Sequence, residues 1–144
     1  PSSNGGLGPV AFTSVITGVV DTAMEHCKSN LEKILVNTPK LKAFQEVEWT
    51  KAEQEYWLIN QALENTLLSI DNGTSNRNNS LMLKETVAVL ADSILNRLCK
   101  LTGGTAYTWY SPLGGWLEDV RALGFLRPPW ALAYEQLFNM SMSN

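Results

Sequence analysis

Apolar residues recur at steps of three and four along most of this chain, which is the spacing of a buried helical face. From Pro9 to Val20 there is no charged residue. Ala11, Val15, Val19, Ala23, Cys27, Leu31 and Leu35 form one line at i, i+4 steps, and Phe12, Ile16, Val20 and Met24 form a second beside it. Two adjoining lines predict a helix buried on more than one side in its first half and amphipathic beyond. Gly8-Pro9 opens it, because Pro near a helix start forfeits no hydrogen bond. Asn37-Thr38-Pro39 closes it, because the residue before Pro avoids the helical region. A second helix is expected from about Ala43 to Ile70, with Tyr56, Ile59, Leu63, Leu67 and Ile70 inward. The polar stretch DNGTSNRNN, residues 71–79, reads as a loop. A third helix, about Ser80 to Leu101, turns Leu83, Val87, Leu90, Ile94, Leu98 and Leu101 inward, with Ala88, Ala91 and Leu95 alongside. Gly103-Gly104 stops it.

The texture then changes. GGTAYTWYSPLGGW is glycine-rich and carries Tyr107, Trp109, Tyr110 and Trp116. Ser111-Pro112 has the form of an N-cap and first turn for a short helix over about Pro112 to Leu123. GFLRPP, from Gly124 to Pro129, breaks it. A last helix starts near Trp130 and places Trp130, Ala133, Tyr134, Leu137 and Phe138 on one face. No segment alternates with period two for long enough to be a strand, and no internal repeat is visible. Together these elements predict an all-α fold: an antiparallel, up-down four-helix bundle with an extra short helix across one end. Residues 1–8, Ser/Asn/Gly-rich and unpatterned, read as a linker, and residues 9–144 as the bundle.

Composition narrows the function. The 144 residues fit one domain with one continuous core. Charged residues make up 17%, below the usual quarter, so much of the chain is meant for burial. The net charge of −3 lacks the basic footprint that nucleic acid needs. No apolar run is long enough for a membrane span. No basic region precedes an apolar one at the start, so no secretory leader is expected and the location expected is cytoplasmic. Cys27 and Cys99 lie in apolar helical patterns and are expected as buried, reduced thiols.

Candidate chemistry is sparse. Glu46/Glu48 and Glu53/Glu55 are two apart, share no helix face, and read as solvated surface charges. The single His, His26, excludes most zinc sites, the usual His-based triads and a di-iron bundle, which needs Glu-x-x-His from two helices. No metal is expected. His26 reads as an exposed or hydrogen-bonded helix residue. Asp119 and Arg121 are placed to tie the short helix to the bundle. Gly103-Gly104 is either a plain helix stop or a loop where backbone N–H groups approach a phosphate. No complete catalytic set is visible.

The run Leu101-Thr102-Gly103-Gly104-Thr105-Ala106-Tyr107, followed by Tyr110-Ser111-Pro112 and Leu117-Glu118-Asp119-Val120-Arg121, resembles the C-terminal domain of the acyl-CoA dehydrogenase family. That family has a helix ending in a Gln-x-Phe-Gly-Gly-like motif, an aromatic and Pro-containing loop, and a short helix. Val15 to Ala23, with Gly18 in the same phase, resembles the family's first C-terminal helix. The resemblance runs from about Leu7 to Phe138. It implies a parent with an N-terminal helical domain, a middle β-domain and this bundle, with FAD between the last two. It also implies self-association through the bundles, as a homodimer or homotetramer. Lys100, Gly103 and Gly104 are then the expected cofactor-binding residues, because glycines let backbone N–H groups approach a diphosphate closely.

The departures bear on activity. Lys100 stands where the family usually has the Gln of its flavin motif. Asn37-Thr38-Pro39-Lys40-Leu41 replaces an Arg-x-x-Phe-Gly stretch, so a guanidinium contact to the cofactor is missing. Arg127, in Leu126-Arg127-Pro128-Pro129, stands at the position of the family's catalytic Glu, and a guanidinium stays protonated and takes no proton from an acyl α-carbon. Gly8 to Ala11, where some relatives carry the Glu, holds no acid. The expectation is a domain of an acyl-CoA-dehydrogenase-like flavoprotein, inactive as an isolated chain. The alternatives are the same domain of a flavin-dependent monooxygenase of that fold, which also lacks this Glu, and a non-enzymatic helical interaction module.

Overall fold

The computed structural model describes residues 7–74, 77–103, 111–125 and 130–143. Among them are five helices and no strand: α1 (Leu7–Asn37), α2 (Ala43–Asp71), α3 (Arg77–Thr102), α4 (Leu113–Phe125) and α5 (Trp130–Ser143). Of the expected linker, residues 1–6 lie outside the described residues, and Leu7 and Gly8 belong to α1.

The bundle is built around α3. It packs against α1 and α2 on either side and against α4 and α5, whereas α1 and α2 meet at few points. α2 and α4 run antiparallel to α3. Gln45, in the first turn of α2, reaches Leu101 at the end of α3, and Arg121 of α4 reaches back to Asp92 of α3. The core is one apolar cluster. Ile16, Val20, Ala23, Met24, Cys27 and Leu31 enter it from α1, and Leu83, Val87, Ala91, Ile94, Leu95 and Leu98 from α3. Each large aliphatic side chain buried there contributes roughly 1.5–3 kcal/mol.

The buried stripe of α1 follows neither apolar line to its end. Val15 is 53% exposed and Leu35 44%. A line of i, i+4 steps drifts by about 40° per step around the helix, so a straight neighbour covers only part of it. The stripe facing α3 passes from Ile16 and Val20 on one line to Ala23, Cys27 and Leu31 on the other. On α2 the steps of four and three from Ala52 through Tyr56, Ile59 and Leu63 to Ile70 do not drift. Leu67, expected inward, is one position off that stripe and 42% exposed.

Two further expectations are corrected. α4 runs through Phe125, two residues past its expected end at about Leu123, so Gly124 lies inside the helix. A Cβ at Gly124 would stand 3.3 Å from the Ala88 Cβ, so the glycine permits a close approach of α4 to α3. On α5 only Ala133 is buried among the described side chains expected inward. Tyr134 and Phe138 are exposed, because α5 lies at the margin, against α3. At the start of α4 the Leu113 N–H donates to Ser111 Oγ at 3.4 Å, as the Ser-Pro pair predicts.

Candidate functional site at the ends of α3 and α4

The site expected from sequence sits where α3 ends. Gly103 has φ +72°, the left-handed conformation that closes a helix and that only glycine adopts without strain. A Cβ there would meet nothing within 4 Å, so this backbone is open to an approaching group. Lys100, in the last turn, is exposed. Gly104 lies outside the described residues, as does Arg127. Lys40, in the stretch before α2, is exposed, and its Nζ lies 4.0 Å from Glu46 Oε1.

The end of α3 is held from the side by Gln45. Its Oε1 accepts the Lys42 N–H at 3.1 Å, and its Nε2 donates to the Leu101 carbonyl at 3.4 Å. One amide thus joins the start of α2 to the carbonyls that α3 leaves without intrahelical partners. Thr102 Oγ1 donates to the Leu98 and Cys99 carbonyls at 3.1 and 3.2 Å. A helix C-terminus carries partial negative charge, so this end favours Lys100 and does not itself attract an anion. An anionic ligand here would rely on Lys100 and on the N–H groups of the turn.

A turn below, the Arg97 Nε donates to Glu55 Oε1 at 2.7 Å and its Nη1 to Glu48 Oε2 at 3.1 Å. All three side chains are about four-fifths buried. Hydrogen bonding to Glu55, ahead of the opposing effect of burial, raises the Arg97 pKa further. This corrects the reading of Glu48 and Glu55 as solvated charges. They lie seven residues apart, two turns on one face, and only α3 supplies the cation between them. Glu46 and Glu53 are exposed.

The other end of the molecule carries a cluster that sequence reasoning missed. Lys84 is fully buried, and its ammonium donates to Glu85 Oε1 and to the Gly124 carbonyl, both at 3.1 Å. It therefore caps the last turn of α4, the helix that leads to the Arg127 segment. The sequence signal was two adjacent charges between Leu83 and Val87 on the inward face of α3. Arg121 Nε donates to Asp92 Oδ1 at 2.8 Å, so Arg121 does tie α4 to the bundle, whereas Asp119 is exposed.

His26 is half-buried. Its Nε2 lies 3.3 Å from Asn30 Nδ2, and its ring meets Trp116 of α4 edge-on at 5.5 Å. Tyr56 donates to Asp21, joining α2 to α1, and burial followed by that bond raises its pKa. Cys27 and Cys99 are buried and not joined in a disulfide, and burial pushes the Cys27 thiol up to about 12. Among the described residues no three His, Cys, Asp or Glu side chains gather as a metal site, and no helix is long and apolar enough to cross a membrane.

The fold is similar to that of the HsaA monooxygenase from M. tuberculosis, with a TM-score of 0.76 over 96% of this chain at 16% identity. The five helices match the C-terminal helical domain of the acyl-CoA dehydrogenase fold. The chain spans only 40% of that monooxygenase's length. No protein-family model and no curated protein matches the sequence.

Proposed function

We propose that this chain is the C-terminal helical domain of an acyl-CoA-dehydrogenase-like flavoprotein. It contributes the oligomer core and one wall of the FAD site, and it is inactive in isolation. The observation that carries the reading is positional. Within a bundle of that fold, α3 ends on a left-handed Gly103 open on its outer side, and Gly103-Gly104 resembles the family's Gly-Gly motif in sequence. FAD, when bound, supplies the redox chemistry. Gly103 and Gly104 would offer backbone N–H groups to the diphosphate, and Lys100 a compensating positive charge.

Two observations favour a monooxygenase parent over an acyl-CoA dehydrogenase. By the resemblance, Arg127 stands where the family carries the carboxylate base that α-proton abstraction needs. The structural neighbour is itself a monooxygenase.

The test uses the product of the whole gene, purified and assayed for flavin by absorbance. Flavin should co-purify, and Lys100→Glu and Gly103→Asp should each lower its content while helicity is kept. A protein that takes up no FAD overturns the flavin reading and leaves the interaction module. Light scattering on the present chain should report a dimer or tetramer, and a monomer at high concentration overturns the oligomer core. If flavin binds, oxygen-dependent hydroxylation assayed against acyl-CoA-dependent dye reduction separates the two parents.

A further inference from the structure

A cleft of about 310 Å³ opens between α3, α4 and α5, away from the Gly103 turn. Its floor is one face of α3: Glu85, Ala88, Val89 and Asp92, at i, i+3, i+4 and i+7. Val120 and Arg121 of α4 form one wall and Tyr134 of α5 the other. An adjoining cavity of about 260 Å³ shares Glu85, Val89 and Tyr134 and continues the cleft along α5. The middle is apolar, and a carboxylate stands at each end.

The polar groups here are not equivalent. Lys84 does not line the cleft, and its ammonium is engaged by Glu85 and the Gly124 carbonyl. Glu85 is nine-tenths buried or more, and only its Oε1 is taken by Lys84. Asp92 likewise gives Oδ1 to Arg121 and Asn96. Each carboxylate therefore keeps an acceptor oxygen. Gly124, also on the lining, belongs to the last turn of α4, and its carbonyl is taken by Lys84. Arg121 sits at the rim with half its side chain in solvent.

We propose that this cleft binds a small organic amine. The ammonium would sit against Glu85 under the Tyr134 ring, where cation–π attraction adds to the charge-assisted hydrogen bond. The hydrocarbon body would lie along Ala88, Val89 and Val120. The proposal is independent of flavin, because the cleft is built from the middle of α3 and not from its end.

The test titrates the 144-residue chain with 2-phenylethylamine, 2-phenylethanol and 3-phenylpropionate, followed by amide chemical shifts. The amine should move resonances of residues 85–92 and 120–124 in a saturable way, and the alcohol and the carboxylate should bind roughly tenfold more weakly or not at all. Glu85→Gln should weaken amine binding by a similar factor. Because that change leaves Lys84 buried with its anion gone, Val89→Trp is the companion variant. Val89 is 57% exposed, so the indole fills the cleft without entering the core, and amine binding should be lost while the far-ultraviolet spectrum is unchanged. Equal binding of the alcohol or the carboxylate, shifts mapping elsewhere, no saturable shift, or binding that survives Val89→Trp would each overturn the proposal.

Discussion

The two long interfaces of α3 are built on different physics. Against α1 it is dry: Ile16, Val20, Ala23, Cys27 and Leu31 share one apolar cluster with Leu83, Val87, Ile94 and Leu98 of α3. Against α2 it is thinner in apolar contact. Only Ala52 and Ile59 of α2 are fully buried, with Trp49, Tyr56, Leu63 and Ile70 half-buried beside them. What fixes α2 there is directional: Arg97 between Glu48 and Glu55, and the Gln45 amide on Leu101. The dry interface supplies most of the stabilisation. The polar one sets the register of α2 on α3, and so the position of the Gly103 turn. It also leaves Phe44, Val47, Trp57, Leu58 and Leu68 of α2 facing outward.

The contrast is sharpest in its response to mutation. Ile16→Ala, in the dry interface, should cost about 3 kcal/mol in urea unfolding, because the neighbours close only part of the cavity. Its cost should not depend on salt. Raising pH probes the same interface through Cys27. Its thiol ionises near 12 in the folded chain against 9.0 as a free thiol. The folded state thus holds the proton that the unfolded state gives up. This contribution is full below pH 9 and is lost as pH rises through 12, at roughly 1 kcal/mol per unit. Cys27→Ala should flatten that slope, and an unchanged slope would mean that the thiol is not held protonated.

Arg97→Ala tests the polar interface. It should cost about 2 kcal/mol, since two partly buried carboxylates lose their donor. That penalty should shrink in high salt, which screens the two carboxylates left facing each other. A salt-independent loss would place Arg97 with the packing residues. The smallest effect is expected at Trp57, 60% exposed on the outer face of α2. Trp57→Ser should change unfolding stability by no more than about 0.5 kcal/mol. A larger loss at high protein concentration alone would reveal a partner copy on that face.

The helices were legible where periodicity and punctuation agreed. Pro39, the Asn-Gly loop and Gly103 end or separate α1, α2 and α3 within a few residues of their expected bounds. The end of α4 was placed two residues early, because Gly124 serves close packing against Ala88 and nothing local distinguishes that from a stop. The end of α3 at Gly103, with Lys100 in its last turn, was legible from the glycine pair. The Lys84–Glu85–Gly124 cluster was not, because its third member lies 40 residues away on another helix.

By itself the sequence determined that this chain is helical, where the helices start and stop, and that the first half of α1 is free of charge. Those follow from short-range rules: spacing, capping, the stiffness of Pro and the freedom of Gly. Only the tertiary structure decided that α3 is the hub, which part of each apolar line is covered, and which charges are surface and which are clasped. Glu53 and Glu55 differ by two positions in the chain, yet one faces water and the other holds Arg97. A helix turns each side chain by a fixed angle, but what that angle points at is settled by the helix packed alongside.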